Sequence, residues 1–123
     1  MVSLLIVGIG GFLGANARYL VGGWLAERLG VAFPYGTLLI NVSGSFIIGL
    51  FLSLITERLA VHPAVRLFFA IGFLGAYTTF STFTLESLSL VQGGESRAAL
   101  RNVAGSAALG LAAAAAGWAL ASL

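Results

Sequence analysis

Hydroxyl groups and phenyl rings are concentrated in one apolar stretch, residues 72–83, which reads GFLGAYTTFSTF. A helix that faces lipid would carry mainly Leu, Ile and Val, and a contact between helices needs only small residues at regular spacing. Polar side chains inside a membrane are costly unless they meet a partner, water or an ion. The stretch therefore predicts a segment that contacts something polar.

Polar residues recur at helical spacing in three apolar segments. They are Thr37, Asn41 and Ser45; Ser81, Thr84 and Ser87; and Asn102 and Ser106, with Gly110 continuing the last row. Residues three or four apart share one face of a helix, so each set forms a polar stripe. Hydrogen bonding between helices is the alternative explanation. For Asn41 a functional contact is favoured, because a mid-membrane amide has two donors and an acceptor to satisfy.

The composition places these stripes in a lipid bilayer. Of 123 residues, 59% are hydrophobic and 8% are charged, whereas about a quarter of the residues in soluble domains are charged. The net charge of +2 is too small and too scattered to indicate a nucleic-acid partner. No cysteine is present, which excludes disulfides and thiolate metal sites.

Charged residues and prolines divide the chain into four apolar segments, each near the roughly 20 residues that cross a bilayer. We expect spans over residues 2–25, 35–56, 63–91 and 97–121, in an all-α membrane protein with one integral domain, residues 1–123. No removable signal peptide is expected, because the first apolar run lacks a basic leading region.

The third span is predicted to be broken near its middle, because Gly75 and the β-branched Thr78 and Thr79 lower helix propensity. Carbonyl groups exposed at membrane depth would then need a substitute partner, such as a cation or water. The alternative is a continuous helix whose Thr hydroxyls bond back to the preceding turn. Close helix packing is expected at three glycine pairs: Gly10 and Gly14, Gly44 and Gly49, and Gly105 and Gly110.

The arginines give little preference for one orientation in the membrane. One side would carry Arg28, Arg97 and Arg101 and the other Arg58 and Arg66, a ratio of three to two. Because an arginine excess sets orientation, the chain is predicted to insert both ways and to form an antiparallel dimer. A single orientation with a weak signal is the alternative.

The chain resembles the Fluc (CrcB) fluoride channels of bacteria over almost its full length. The resemblance rests on residues 10–19 (GGFLGANARY), 36–44 (GTLLINVSG) and 72–83. It implies a dual-topology antiparallel homodimer with two fluoride pores. It also implies a structural Na⁺ at the centre of the dimer interface, bound by the main-chain carbonyls of Gly75 and Thr78.

The resemblance also implies the residues that line the fluoride pore. Asn41 would donate its amide to fluoride, and the partly positive ring edges of Phe80 and Phe83 would accompany the anion. The remaining positions are the hydroxyls of Ser81, Thr82, Thr37 and Ser106, with Glu86 near a pore end and Arg18 near a vestibule. Gly110 stands where some members have a second serine, and Asn102 where some have tyrosine.

The function expected from this resemblance is passive, fluoride-selective export across the cell (inner) membrane, which lowers fluoride toxicity. A proton-coupled exporter of the small multidrug-resistance type is the alternative, but it needs a carboxylate in the first span, where none occurs. A purely accessory bundle would not require three polar stripes. Enzymatic activity is not expected, because His62 is the only histidine and no aspartate is present.

Overall fold

The computed structural model describes residues 1–123 as a bundle of long apolar helices with no strand. The helices are α1 (Val2–Leu29), α2 (Tyr35–Glu57), α3 (residues 63–77), α4 (Phe80–Gln92) and α5 (Ser96–Ser122). Helices α3 and α4 together form one span, so the four spans contain 28, 23, 30 and 27 residues. Each is long enough to cross the hydrocarbon. The predicted all-α fold with four spans is confirmed.

The third span is broken, as predicted. Thr78 and Thr79 are extended, with ψ angles of 157° and 123°, and they separate α3 from α4. Before the break, Leu67–Leu74 is wound as a π-helix, between the α-helical turns Pro63–Arg66 and Gly75–Tyr77. π-Helical turns are rare and occur frequently at functional sites.

Local sequence explains where several helices begin and end. Pro63 stands in the first turn of α3, and the His62 side chain accepts a hydrogen bond of 3.0 Å from the Ala64 N–H. Gly30 follows α1 and Gly94 lies in the turn between α4 and α5, each with φ near 80°. Glycine adopts this left-handed conformation without the steric cost that other residues incur.

Glycines fix how closely the helices approach. A Cβ at Gly10 or Gly14 would overlap a main-chain carbonyl of the π-helical segment, and one at Gly49 would overlap the Ala114 carbonyl of α5. Gly117 makes the reciprocal contact, against the Phe46 carbonyl of α2. These contacts pair α1 with α3 and α2 with α5.

The packing expected of Gly105 is wrong, because no atom lies within 4 Å of a Cβ built there. Gly105 is half-buried, but no other helix comes within 4 Å of that Cβ position. At Gly110 the nearest atom is the Ser45 Oγ, 3.7 Å from such a Cβ, which is ordinary contact.

The small core lies beside the break and consists of Ile40, Leu74 and Tyr77. A row of aromatic rings extends from it, because Phe69, Phe73 and Tyr77 follow one another at four-residue spacing with centroids 5.6 and 6.0 Å apart. Only 17 of 123 residues are buried, so most of the apolar surface must face lipid or another chain.

Candidate functional site at the helix break

The break places two helix ends near the middle of the third span, which covers residues 63–92. Thr79 begins α4 as its N-cap, because its Oγ1 accepts a hydrogen bond of 3.2 Å from the Thr82 N–H. Such a cap satisfies one of the N–H groups that have no partner at a helix start. The last turn of α3 leaves carbonyl groups that also need partners.

Side chains from α1 and α2 supply several of these partners. The Arg18 Nε donates to the Ala76 carbonyl at 3.1 Å. The Asn41 Oδ1 accepts from the Thr79 N–H at 2.9 Å, and the Asn41 Nδ2 donates to the Thr79 carbonyl at 2.9 Å. The Thr78 carbonyl accepts no hydrogen bond within the chain. The Thr78 oxygen is therefore available to an external partner.

A first groove of about 360 Å³ opens on one side of the break. Four of the predicted residues line it together: Arg18, Thr37, Thr82 and Glu86. The Glu86 Oε1 is buried and has no hydrogen-bond partner within the chain. A buried carboxyl oxygen without a partner is costly, so it requires water or an ion as a partner.

A second groove of about 300 Å³ lies on the other side and is lined by Asn41, Ser45, Gly75, Thr78 and Phe80, among others. One hydrogen on the Asn41 Nδ2 has no partner, because a primary amide has two and only one is used. The Phe80 ring is 77% exposed and lies 5.8 Å, centroid to centroid, from the Phe83 ring. Thr79 lines both grooves, so they adjoin at this residue.

The remaining predicted residues do not line either groove. Ser81 is exposed on α4, and Ser106 lies on α5, where its Oγ donates to the Asn102 Oδ1 at 3.4 Å. The buried Asn102 donates to the Ser87 Oγ at 2.9 Å, and Ser87 donates to the Phe83 carbonyl at 2.8 Å. Within one subunit, Ser106 therefore lies apart from the predicted residues at the break and is hydrogen-bonded to Asn102, which joins α5 to α4.

Gly110 on α5 lies opposite the polar stripe of α2, which is formed by Thr37, Asn41 and Ser45. The Ser45 Oγ donates to the Asn41 carbonyl at 2.7 Å and lies opposite Gly110. A serine at position 110 would therefore place a second hydroxyl beside Ser45.

Sequence reasoning named Thr79 only as part of the helix break, and it did not predict the contact with Asn41 that the structure shows. Its N–H and carbonyl groups make the contacts with Asn41, and main-chain groups have no signature in a residue pattern. The poor helix propensity of residues 75–79 was the available signal. The structure contains no group of three or more His, Cys, Asp or Glu residues that could hold a metal ion.

The chain is similar to known proteins over most of its length. Residues 5–118 match the family described as "CrcB-like protein, Camphor Resistance (CrcB)". A protein of Rhizobium meliloti named "Fluoride-specific ion channel FluC" is 44% identical over 98% of this chain and 96% of its own length. Proteins with the same name from Acidobacterium capsulatum and Solibacter usitatus are 50% and 49% identical, over 89% and 91% of this chain and 88% and 92% of their own.

Proposed function

Because the chain belongs to the CrcB family, we propose that it is a fluoride-selective ion channel through which fluoride leaves the cell passively. The observation that carries the proposal is the second groove, where an unpartnered N–H of Asn41 lies in the same groove as the exposed ring of Phe80. An amide hydrogen and the edge of a phenyl ring both carry partial positive charge and suit an anion.

The helix ends at the break support an anion path beside a cation site. The start of α4 carries partial positive charge and the end of α3 partial negative charge, because peptide dipoles align along a helix. Discontinuous helices in transporters place such ends against bound ions. Here the positive end adjoins Phe80 and the negative end carries the free Thr78 carbonyl.

Arg18 and Glu86 lie in the first groove, at the entrance to the proposed path. The Arg18 guanidinium would attract anions to this entrance, because a nearby positive charge raises their local concentration. Ser81, Thr82, Thr37, Ser106 and Phe83 are proposed to complete the polar lining. A membrane potential of 100 mV, negative inside, favours exit of one negative charge by about 2.3 kcal/mol, so no coupled proton is required.

The protein is proposed to work as an antiparallel homodimer. Both grooves are open at the surface of a single subunit, where lipid would meet their polar groups. A second copy in the opposite orientation would cover them and would bring the residues between α4 and α5 of one subunit toward the break of the other. The near balance of arginines permits this pairing.

Gly75 and Thr78 are proposed to hold a structural Na⁺ through their carbonyl groups. The donor set fits, because Na⁺ is a hard cation and these are neutral oxygens at the negative end of α3. Gly75 is exposed and the Thr78 carbonyl is unpaired, so two subunits together would offer four oxygens. Bound there, the ion would hold the two breaks together by electrostatic attraction.

Fluoride efflux from liposomes tests the function. Purified protein is reconstituted with a potassium gradient and valinomycin, and fluoride and chloride release are recorded together. Rapid fluoride release without chloride release is expected. The variants Asn41→Ala and Phe80→Ile should lose flux while Phe12→Ile, an exposed ring on α1, should not. Fluoride release that stops when the pH gradient is clamped would indicate proton-coupled export instead.

The dimer and the cation have separate tests. The chain has no cysteine, so a single Cys at the exposed position Ala60 can be labelled from outside the cell. Two orientations predict that about half of the protein reacts, whereas one orientation predicts all or none.

A melting temperature that rises with NaCl but not with KCl is expected if Na⁺ binds at the break.

A further inference from the structure

We propose that the break in the third span orients the Asn41 amide, so that the pore meets its N–H and not its carbonyl oxygen. Thr79 is then a positioning residue, which acts through its main chain. This inference rests on the proposed function, because it concerns how that function's anion donor is held.

The two contacts between Asn41 and Thr79 fix the direction of the amide. The Oδ1 faces an N–H and the Nδ2 faces a carbonyl, both at 2.9 Å. A rotation that exchanged Oδ1 and Nδ2 would place oxygen against oxygen and N–H against N–H. Because the polarity of a main chain cannot invert, only one orientation of this amide is stable.

An unbroken helix could not provide these contacts. The Thr79 N–H would bond to the carbonyl four residues earlier, and the Thr79 carbonyl would accept from the N–H four residues later. The extended conformation of Thr79, with φ −150° and ψ 123°, releases both groups toward α2. The break therefore does two things. It leaves the Thr78 carbonyl free, and it frees the Thr79 main chain to orient the proposed anion donor, Asn41.

The consequence concerns the sign of the ion. A freely rotating amide can offer oxygen to a cation or N–H to an anion. With one N–H bonded to the Thr79 carbonyl and the oxygen bonded to the Thr79 N–H, the remaining N–H is the donor left to the groove that Phe80 also lines. The locked amide thus favours an anion.

Gly44 allows this idea to be tested without changing Asn41. Gly44 lies three residues after Asn41 on α2, and a Cβ there would overlap the Thr78 Cγ2 and lie 3.3 Å from the Tyr77 Cδ2. The variant Gly44→Ala should push the break away from Asn41. Adding Thr78→Ser removes the overlapping methyl group and keeps the hydroxyl, so the double variant should let the break return. Gly105→Ala, in open space, is the matched control.

Fluoride flux is expected to fall about tenfold or more in Gly44→Ala, because the Asn41 N–H would no longer point at the anion. Losing a hydrogen bond to a charged group changes a binding constant by about that factor. The double variant should recover most of the flux that Gly44→Ala loses, and Gly105→Ala should match the wild type. A folded, dimeric Gly44→Ala protein with full flux would overturn the orienting role. Wild-type protein without fluoride flux would instead overturn the proposed function.

Amide NMR provides a second readout that does not depend on flux or on any variant folding. The chain has only three asparagines, Asn16, Asn41 and Asn102, so asparagine labelled with ¹⁵N gives few side-chain signals. One Asn41 proton should be protected from exchange and unaffected by fluoride, while the other should shift with NaF and not with NaCl. Two Asn41 orientations, or equal shifts of both protons, would overturn the inference.

Discussion

Replacing Arg18 by methionine should destabilise the interrupted third span. The Arg18 Nε donates to the Ala76 carbonyl at 3.1 Å, and methionine keeps an unbranched apolar stem but has no donor. A hydrogen bond from a charged group contributes about 1.5–3 kcal/mol. Because Arg18 is only partly buried, we expect a loss near the lower part of that range, about 2 kcal/mol, which lowers the ratio of folded to unfolded protein about 30-fold.

Equilibrium unfolding in mixed micelles with rising SDS, followed by circular dichroism, would measure this loss. Arg18→Lys keeps the charge but not the planar donor group, so it should recover only part of the stability. Arg28→Met is the matched control, because Arg28 is exposed at the end of α1 and its guanidinium only lies over the Trp24 ring, at 5.2 Å. Equal unfolding free energies for Arg18→Met and Arg28→Met would refute the role assigned to Arg18.

Three further outcomes are expected from other parts of the bundle. Gly110→Ser should increase fluoride flux relative to Gly110→Ala in the liposome assay, because it adds a hydroxyl beside the polar stripe of α2. Gly117→Val should prevent close packing of α2 on α5 and lower the unfolding free energy by several kcal/mol, while Gly105→Ala, in open space, should not lower it. Asn102→Leu removes a buried amide and leaves the Ser106 hydroxyl without its acceptor, so SDS unfolding should show a loss of about 1 kcal/mol with the dimer retained.

The spans and the break could be predicted from the sequence because both depend on local properties. Length and hydropathy decide which segments can cross a bilayer. One glycine and two threonines within the five residues 75–79 weaken a helix wherever it packs. Asn41 could be singled out for a similar reason, because a mid-membrane amide is costly without partners, whatever those partners are.

Partners remote in sequence could not be predicted. Asn41 contacts the main chain of Thr79, 38 residues away, and Arg18 contacts the Ala76 carbonyl, 58 residues away. Main-chain groups are the same in every residue except proline, so no residue pattern marks them as partners. The roles of the pore residues remain predictions, because they depend on a second subunit and on the ion.

The sequence by itself determined that this chain has four apolar helices, polar residues on three of them and a weak point in the third. The tertiary structure alone decided which of these polar residues meet. Close glycine contacts such as Gly14 against the Phe73 carbonyl and Gly44 against Thr78 set the depth and rotation of each helix. The direction of every side chain follows from that rotation. The contact of Asn41 with the extended residue Thr79, at the break in the third span, follows from it as well.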